Sequence, residues 1–151
     1  MDKNKQQIIS PGLYIVSTPI GNMEDITLRA LNVLKKSNLV LCEDTRRSGM
    51  LLSYFKITNK LLPYHKFNEK RASQKIVDAV KNGQIISLIS DAGTPTISDP
   101  GLILINKCIQ ENLPVFPIPG SSAVTAAISV SGFGEKYLFY GFLPKKENEL
   151  N

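Results

Sequence analysis

Five times along the chain, a short and nearly uninterrupted apolar run is followed by a loop and then by a segment with helical spacing. The runs are 13–17 (LYIVS), 39–42 (LVLC), 61–62 (LL), 85–89 (IISLI) and 115–118 (VFPI). A strand open to solvent on one face alternates apolar and polar residues, whereas one covered on both faces reads as a continuous apolar run. Strands of the second kind separated by helices imply an α/β fold, here a five-stranded, mainly parallel sheet flanked by helices. The spacing predicts a helix over 27–36, with Leu28, Leu31 and Leu34 joined by Ala30 in one stripe and Asp25 or Thr27 as its cap. It predicts further helices over 47–55, with Met50, Leu51 and Tyr54 on one side, and over 72–81, with Ile76, Val77 and Val80 facing inward and Asn82-Gly83 as the stop. Two more are expected over 101–110 and 123–130. After Ser131-Gly132 the pattern breaks, and 137–142 (YLFYGF) reads as an extended segment whose rings need a partner surface.

The organisation expected is therefore a flexible N-terminus over 1–11, one α/β domain over 12–136, and a linker strand and tail over 137–151. A chain of 151 residues, 42% hydrophobic and 21% charged, can bury a self-sufficient core as one domain. No apolar run approaches the ~20 residues that span a bilayer, and the polar start lacks a signal-peptide pattern, so a cytoplasmic address and no membrane contact are expected. Cys42 and Cys108 lie far apart in apolar surroundings and read as buried reduced thiols. With a single histidine, His65, Cys and His alone assemble no ordinary zinc site, and no metal is expected. Charge is uneven: residues 1–71 hold 12 of the 18 Lys and Arg but only 6 of the 13 Asp and Glu. Such a bias suits a face that meets a polyanion, and it equally suits a solvated basic surface.

In open parallel sheets, ligands bind beyond the carboxyl ends of the strands. Three loops at such ends contain glycine, namely Thr18-Pro19-Ile20-Gly21-Asn22, Ser90-Asp91-Ala92-Gly93-Thr94-Pro95 and Pro119-Gly120-Ser121-Ser122-Ala123. One such loop is an ordinary turn; three at one edge can line a cleft with backbone N–H and C=O groups. There is no GxGxxG after the first run, no GxxxxGK[ST] and no GxSxG, which argues against dinucleotide dehydrogenases, P-loop NTPases and nucleophile-elbow hydrolases.

The strings at 12–31 (GLYIVSTPIGNMEDITLRAL), 42–46 (CEDTR), 63–69 (PYHKFNE), 87–101 (SLISDAGTPTISDPG) and 117–127 (PIPGSSAVTAA) resemble the tetrapyrrole methylase superfamily. Within it they are similar to the branch that methylates cytidine 2′-hydroxyls of bacterial small-subunit ribosomal RNA. The resemblance implies S-adenosylmethionine held in a folded conformation between two α/β domains, mostly by backbone contacts. Position by position, Pro19, Ile20 and Gly21 would line the first loop. Asp91, Ala92, Gly93 and Thr94 would stand where the superfamily has a Gly-Asp-Pro segment, Asp91 as a cofactor or loop-holding residue. Gly120, Ser122 and Ala123 would close over the cofactor, with Ser121 replacing a proline common in the family. The family continues into a second α/β domain after a linker like that at 141–144, so this chain is expected to be the N-terminal half, lacking that second domain.

A sulfonium methyl is already activated, so alignment and exclusion of water matter more than a metal. The sequence nominates no general base for a ribose hydroxyl. Glu43, Asp44, Arg46, His65 and Asn68 are the substrate-side candidates. Helix capping explains Glu43 and Asp44 as well, and a structural hydrogen bond explains His65. Arg46, Arg47, Lys66, Lys70 and Arg71 would meet RNA phosphates or simply form a solvated face. Ribosomal RNA and a second copy of the chain are the expected partners, the latter from the uncovered rings of Tyr137, Phe139, Tyr140 and Phe142. Competing readings are a methylase of a small tetrapyrrole and a non-catalytic, truncated cofactor-binding or dimerising domain.

Overall fold

The computed structural model describes residues 8–134 and 136–142. The first seven residues of the expected N-terminal arm and the tail from 143 onward lie outside the described residues. Five strands, β1 (Gly12–Val16), β2 (Leu39–Cys42), β3 (Leu61–Pro63), β4 (Ile85–Leu88) and β5 (Val115–Ile118), form one sheet in the order β3-β2-β4-β1-β5. Every pairing is parallel, with Leu13 opposite Ile86 on one side of β1 and opposite Val115 on the other. Helices α1 (Leu28–Lys36), α2 (Thr45–Tyr54), α3 (Glu69–Lys81), α4 (Leu102–Gln110) and α5 (Ala123–Val130) follow the successive strands.

Side chains alternate across a strand, so each strand feeds two cores. Tyr14, Val16, Val40 and Cys42 face Ala30, Val33 and Leu34 of α1 and Leu51 and Leu52 of α2. Leu13, Leu41, Ile86 and Leu88 face Ile76, Val77 and Val80 of α3 and Leu104 and Cys108 of α4. A three-layer sandwich results, and each fully buried aliphatic side chain contributes about 1.5–3 kcal/mol. Two of the buried polar side chains pair across the layers: Ser87, in the middle of β4, meets the hydroxyl of Ser37 at 2.6 Å, and Ser37 donates to the Val33 carbonyl at 2.9 Å. Both cysteines are free and buried, and burial pushes both thiols up.

Some helix faces differ from the spacing. Thr27 caps α1 by accepting the Ala30 N–H, but Leu28 is 86% exposed and Val33 takes the inward place. The helix rests on the core along Ala30, Val33 and Leu34, with Leu31 partly buried beside them. In α2 the inward residues are Ser48, Leu51 and Leu52, while Met50 and Tyr54 are exposed. Both α2 and α3 begin earlier than the spacing predicts, at Thr45 and Glu69, since their caps lie in the strand-end loops. No residue of α5 is buried, although it is almost wholly apolar. The segment 137–142 forms no strand; it folds back so that Phe139 and Phe142 line a cavity against the strand-end loops, while all of its apolar side chains remain exposed.

Candidate functional site

From the carboxyl end of β2 the chain turns toward β3, and from that of β4 it travels to β5 on the opposite flank. The chain order thus reverses between two adjacent strands, which opens a crevice at their ends. The loops around this crevice are stitched together. Thr18 donates its N–H to the Gly93 carbonyl at 2.9 Å and receives the Gly93 N–H at 3.1 Å. The Thr18 hydroxyl donates to the Ser90 carbonyl at 3.1 Å. Thr94 donates its only hydroxyl hydrogen to the Ser121 carbonyl at 3.3 Å, so Ser17 is the donor in the 2.9 Å Ser17–Thr94 contact. Gly93 has φ 81°, a conformation glycine adopts without strain. Gly120 serves close approach instead, since a Cβ there would stand 2.9 Å from Cβ of Ser17.

Two cavities flank the stitched loops. The first, about 300 Å³, is lined by Thr18, Pro19 and Gly21, by Ser90 and Asp91, and by Met23, Arg47, Ser48, Met50 and Leu51. The second, about 270 Å³, is lined by Ile20, by Ala92, Gly93 and Thr94, by Ser122 and Ala123 at the start of α5, by Asp99 and by Phe139 and Phe142. Neighbouring residues of the same loop therefore serve different cavities: Pro19 and Gly21 one, Ile20 the other; Asp91 one, Ala92 to Thr94 the other. Gly120 borders neither and holds the third loop against β1.

The acidic residues divide by role. Asp44 caps α2, accepting the Arg46 N–H at 2.8 Å and pairing with the Arg46 guanidinium at 2.7 Å. The Arg46 side chain and that N–H hold its carboxyl down to about 2. Asp91 braces the same helix start, accepting the Asp44 N–H at 3.3 Å and facing the Arg47 guanidinium at 3.5 Å. Glu43 and Asp99 are partly buried close by. Burial pushes both carboxyls up, and repulsion adds to it, Asp99 and Asp91 acting on Glu43 and Asp91 acting on Asp99, against the pull of Lys66. His65 also draws the Glu43 carboxyl down. Asn68 acts on its own loop, accepting the His65 N–H and donating to the Pro63 carbonyl, each at 2.9 Å. The structure thus brings Glu43, Asp44 and Asp91 to one place with His65 beside them, and commits Asp44, Arg46 and Asn68 to local bracing.

Ser48 escaped the sequence reading. It is 3% exposed, lines the first cavity, and its hydroxyl has no hydrogen-bond partner among the described residues. Its place four residues after the cap Asp44 was the available signal. Asp99 was overlooked too, although it lies inside the 87–101 string. Among the described residues no group of three or more His, Cys, Asp or Glu is placed to hold a metal, and no helix is long and apolar enough to cross a membrane.

A strand-order reversal with stitched glycine loops beneath two adjoining cavities is the mark of a small-ligand α/β enzyme domain. The family model described as Tetrapyrrole (Corrin/Porphyrin) Methylases matches residues 12–136, and the chain belongs to that family. It is 47% identical over 137 residues to the Ribosomal RNA small subunit methyltransferase I of Thermotoga maritima, covering 90% of this chain and 62% of that one. With the protein of the same name from Vibrio cholerae it shares 49% over 138 residues, covering 91% of this chain and 48% of the other. The curated relatives it matches are covered over 47% to 64% of their own length. Among solved structures, uroporphyrin-III-C-methyltransferase from Thermus thermophilus superposes with a TM-score of 0.62 at 20% identity, over 84% of this chain and 54% of that one. A cobalt precorrin-4 methyltransferase of cobalamin biosynthesis gives 0.60 at 20% identity, over 79% and 49%. At that identity the last two establish the fold.

Proposed function

We propose that the chain provides the N-terminal part of an S-adenosylmethionine-dependent methyltransferase acting on the 2′-hydroxyl of a cytidine in small-subunit ribosomal RNA. The observation that carries this reading is the pair of cavities sharing the 18–21 and 90–94 loops, one lined by loop residues with Asp99 and aromatic rings, the other with Arg47, Asp91 and Ser48. The relatives named for ribosomal RNA methylation, at 47% and 49% identity, support RNA as the substrate class.

The second cavity fits part of the cofactor. The 92–94 and 122–123 loop segments contribute small residues to its walls, beside the larger Ile20, Phe139 and Phe142, and a Cβ on Gly93 would reach within 3.4 Å of Ile20. At about 270 Å³ it falls just below the ~300–1,000 Å³ typical of small-ligand sites, so further walls complete it. Ile20, Gly93, Thr94, Ser122 and Ala123 would hold the cofactor, which when bound supplies a methyl activated by sulfonium sulfur. In the first cavity, Arg47 at the rim meets a phosphate and the Ser48 hydroxyl offers a hydrogen bond to the nucleoside. Asp91 keeps the start of α2 in register, and Asp99, which lines the second cavity, is the carboxylate there that would accept a proton. Alignment and exclusion of water supply the rate. The work belongs in the cytoplasm. Self-association through the uncovered apolar residues of α5 and 137–142 is part of the proposal.

Calorimetric titration of S-adenosylmethionine into the protein and into Ser122→Phe tests the cofactor cavity. Overpacking a filled site costs about 1–3 kcal/mol, so the variant is expected to bind roughly tenfold or more weakly while remaining folded. Unchanged affinity would move the cofactor elsewhere. Labelled methyl transfer to small ribosomal subunits, with a tetrapyrrole as the competing acceptor, decides the substrate class.

A further inference from the structure

We propose that Phe67 is a stacking platform for a base of single-stranded RNA, held out beside the crevice by a braced loop and ringed by cations that follow the phosphates. The proposal rests on the RNA reading above and names how the strand flanking the target is gripped.

Phe67 is 98% exposed, in the loop joining β3 to α3. A lone exposed ring is common on protein surfaces and by itself carries nothing. This loop, however, has little slack. Tyr64 at its base is fully buried, with its hydroxyl 3.0 Å from that of Ser73. The His65 carbonyl accepts the N–H groups of Asn68 and Glu69 at 3.0 and 2.9 Å, and the Asn68 side chain ties the His65 N–H back to the Pro63 carbonyl. The backbone that carries the ring is therefore held in place, and the ring stands out from it with His65 as its aromatic neighbour at a centroid distance of 6.0 Å. A ring carried on a braced backbone costs less ordering entropy to stack on than one carried on a mobile loop.

Charge favours a nucleic acid over a protein as the occupant. Lys66, Lys70 and Arg71 lie within four residues of the ring. Glu69, the one acid of 65–71, turns its carboxylate inward to accept the Gly101 N–H at 3.2 Å. Tyr64 donates its N–H to the Cys42 carbonyl at 2.8 Å, one residue before Glu43, and Glu69 reaches Gly101, which puts the loop beside the strand-end crevice. An aromatic face within a basic border is how sequence-tolerant single-strand sites are built.

The test uses the protein and a single-stranded RNA of about ten nucleotides bearing 2-aminopurine, read by fluorescence quenching and anisotropy. Phe67→Ala is expected to weaken binding roughly 5- to 150-fold and to abolish the quenching, with the salt dependence unchanged. Phe67→Tyr should restore both, and S-adenosylmethionine affinity and thermal unfolding should match the parent in each variant. Lys66→Ala with Lys70→Ala should instead flatten the salt dependence. RNA binding and quenching that survive Phe67→Ala would overturn the proposal while leaving the RNA reading in place; loss of self-association in that variant would then assign the ring to a protein contact. A parent that binds S-adenosylmethionine but no RNA would overturn both.

Discussion

Ser48 buries a hydroxyl with no hydrogen-bond partner, its polar neighbour being the weakly bonding Cys42 thiol. A buried unsatisfied group costs about 1–3 kcal/mol, so Ser48→Ala is expected to leave urea stability unchanged or raise it by up to about 1 kcal/mol. A clear loss of stability would show that the hydroxyl is paired after all. The same substitution is expected to weaken RNA methylation without changing cofactor affinity, since Ser48 lines the first cavity only. Glu43 and Asp99 make a pH prediction. Their carboxyls titrate above their ordinary values of 4.5 and 3.8, so the folded state holds these protons more tightly than the unfolded chain. Their charged forms therefore leave stability intact at low pH and subtract from it as pH rises through the raised values. Glu43→Gln and Asp99→Asn should each raise the urea midpoint at about pH 7, by under about 1 kcal/mol because solvent screens both, and match the parent below about pH 4. A gain persisting at the acid end would point to packing rather than charge. These environments could not be read from the chain, because the fold brings Glu43, after β2, against Asp91 and Asp99 of the loop between β4 and α4.

At the scale of elements, the strands were legible almost to the residue. Leu39–Cys42 and Val115–Ile118 coincide with their apolar runs, because a strand buried on both faces needs side chains of one kind throughout. The helix α5 likewise coincides with 123–130, between a serine cap and a break. Helix faces were less legible. Apolar spacing picks out residues able to face inward, but the packed arrangement decides which do, with Leu28 and Met50 outside and Val33 and Leu52 inside. Loop glycines divide similarly: their presence at three strand ends is visible in the sequence, their different duties are not. Gly120→Ala should force β1 and the 119–122 loop apart, costing about 1–3 kcal/mol in thermal unfolding and lowering cofactor affinity with it, since the loop carries Ser122. Parent-like stability would mean that Ser17 yields its space.

For the whole molecule, the unburied apolar helix α5 and the exposed Phe133, Tyr137, Leu138 and Tyr140 set the prediction. Burying one such ring is worth about 1.5–3 kcal/mol, so the chain is expected to self-associate with a mass that rises with concentration in sedimentation equilibrium. A monomer across the accessible range would reject the proposed interface. The second cavity also implies a rate. Because its walls enclose only part of a cofactor, the 151-residue chain alone is expected to transfer methyl groups to small ribosomal subunits more than about tenfold slower than its longer Vibrio cholerae relative. Equal turnover would show that these walls suffice.

By itself the sequence determined the layered α/β fold, the parallel sheet and the strand-end edge at which the glycine loops gather. Each follows from local periodicity and from glycine loops at strand ends, properties carried by a few consecutive residues. Only the tertiary structure decided that the three loops divide between two cavities, that Asp44 and Arg46 satisfy each other, that Ser48 stands unpaired, and that 137–142 turns back over the loops. Those outcomes depend on strand order, which brings residues dozens of positions apart within hydrogen-bonding reach, and no local pattern records which strand will lie beside which.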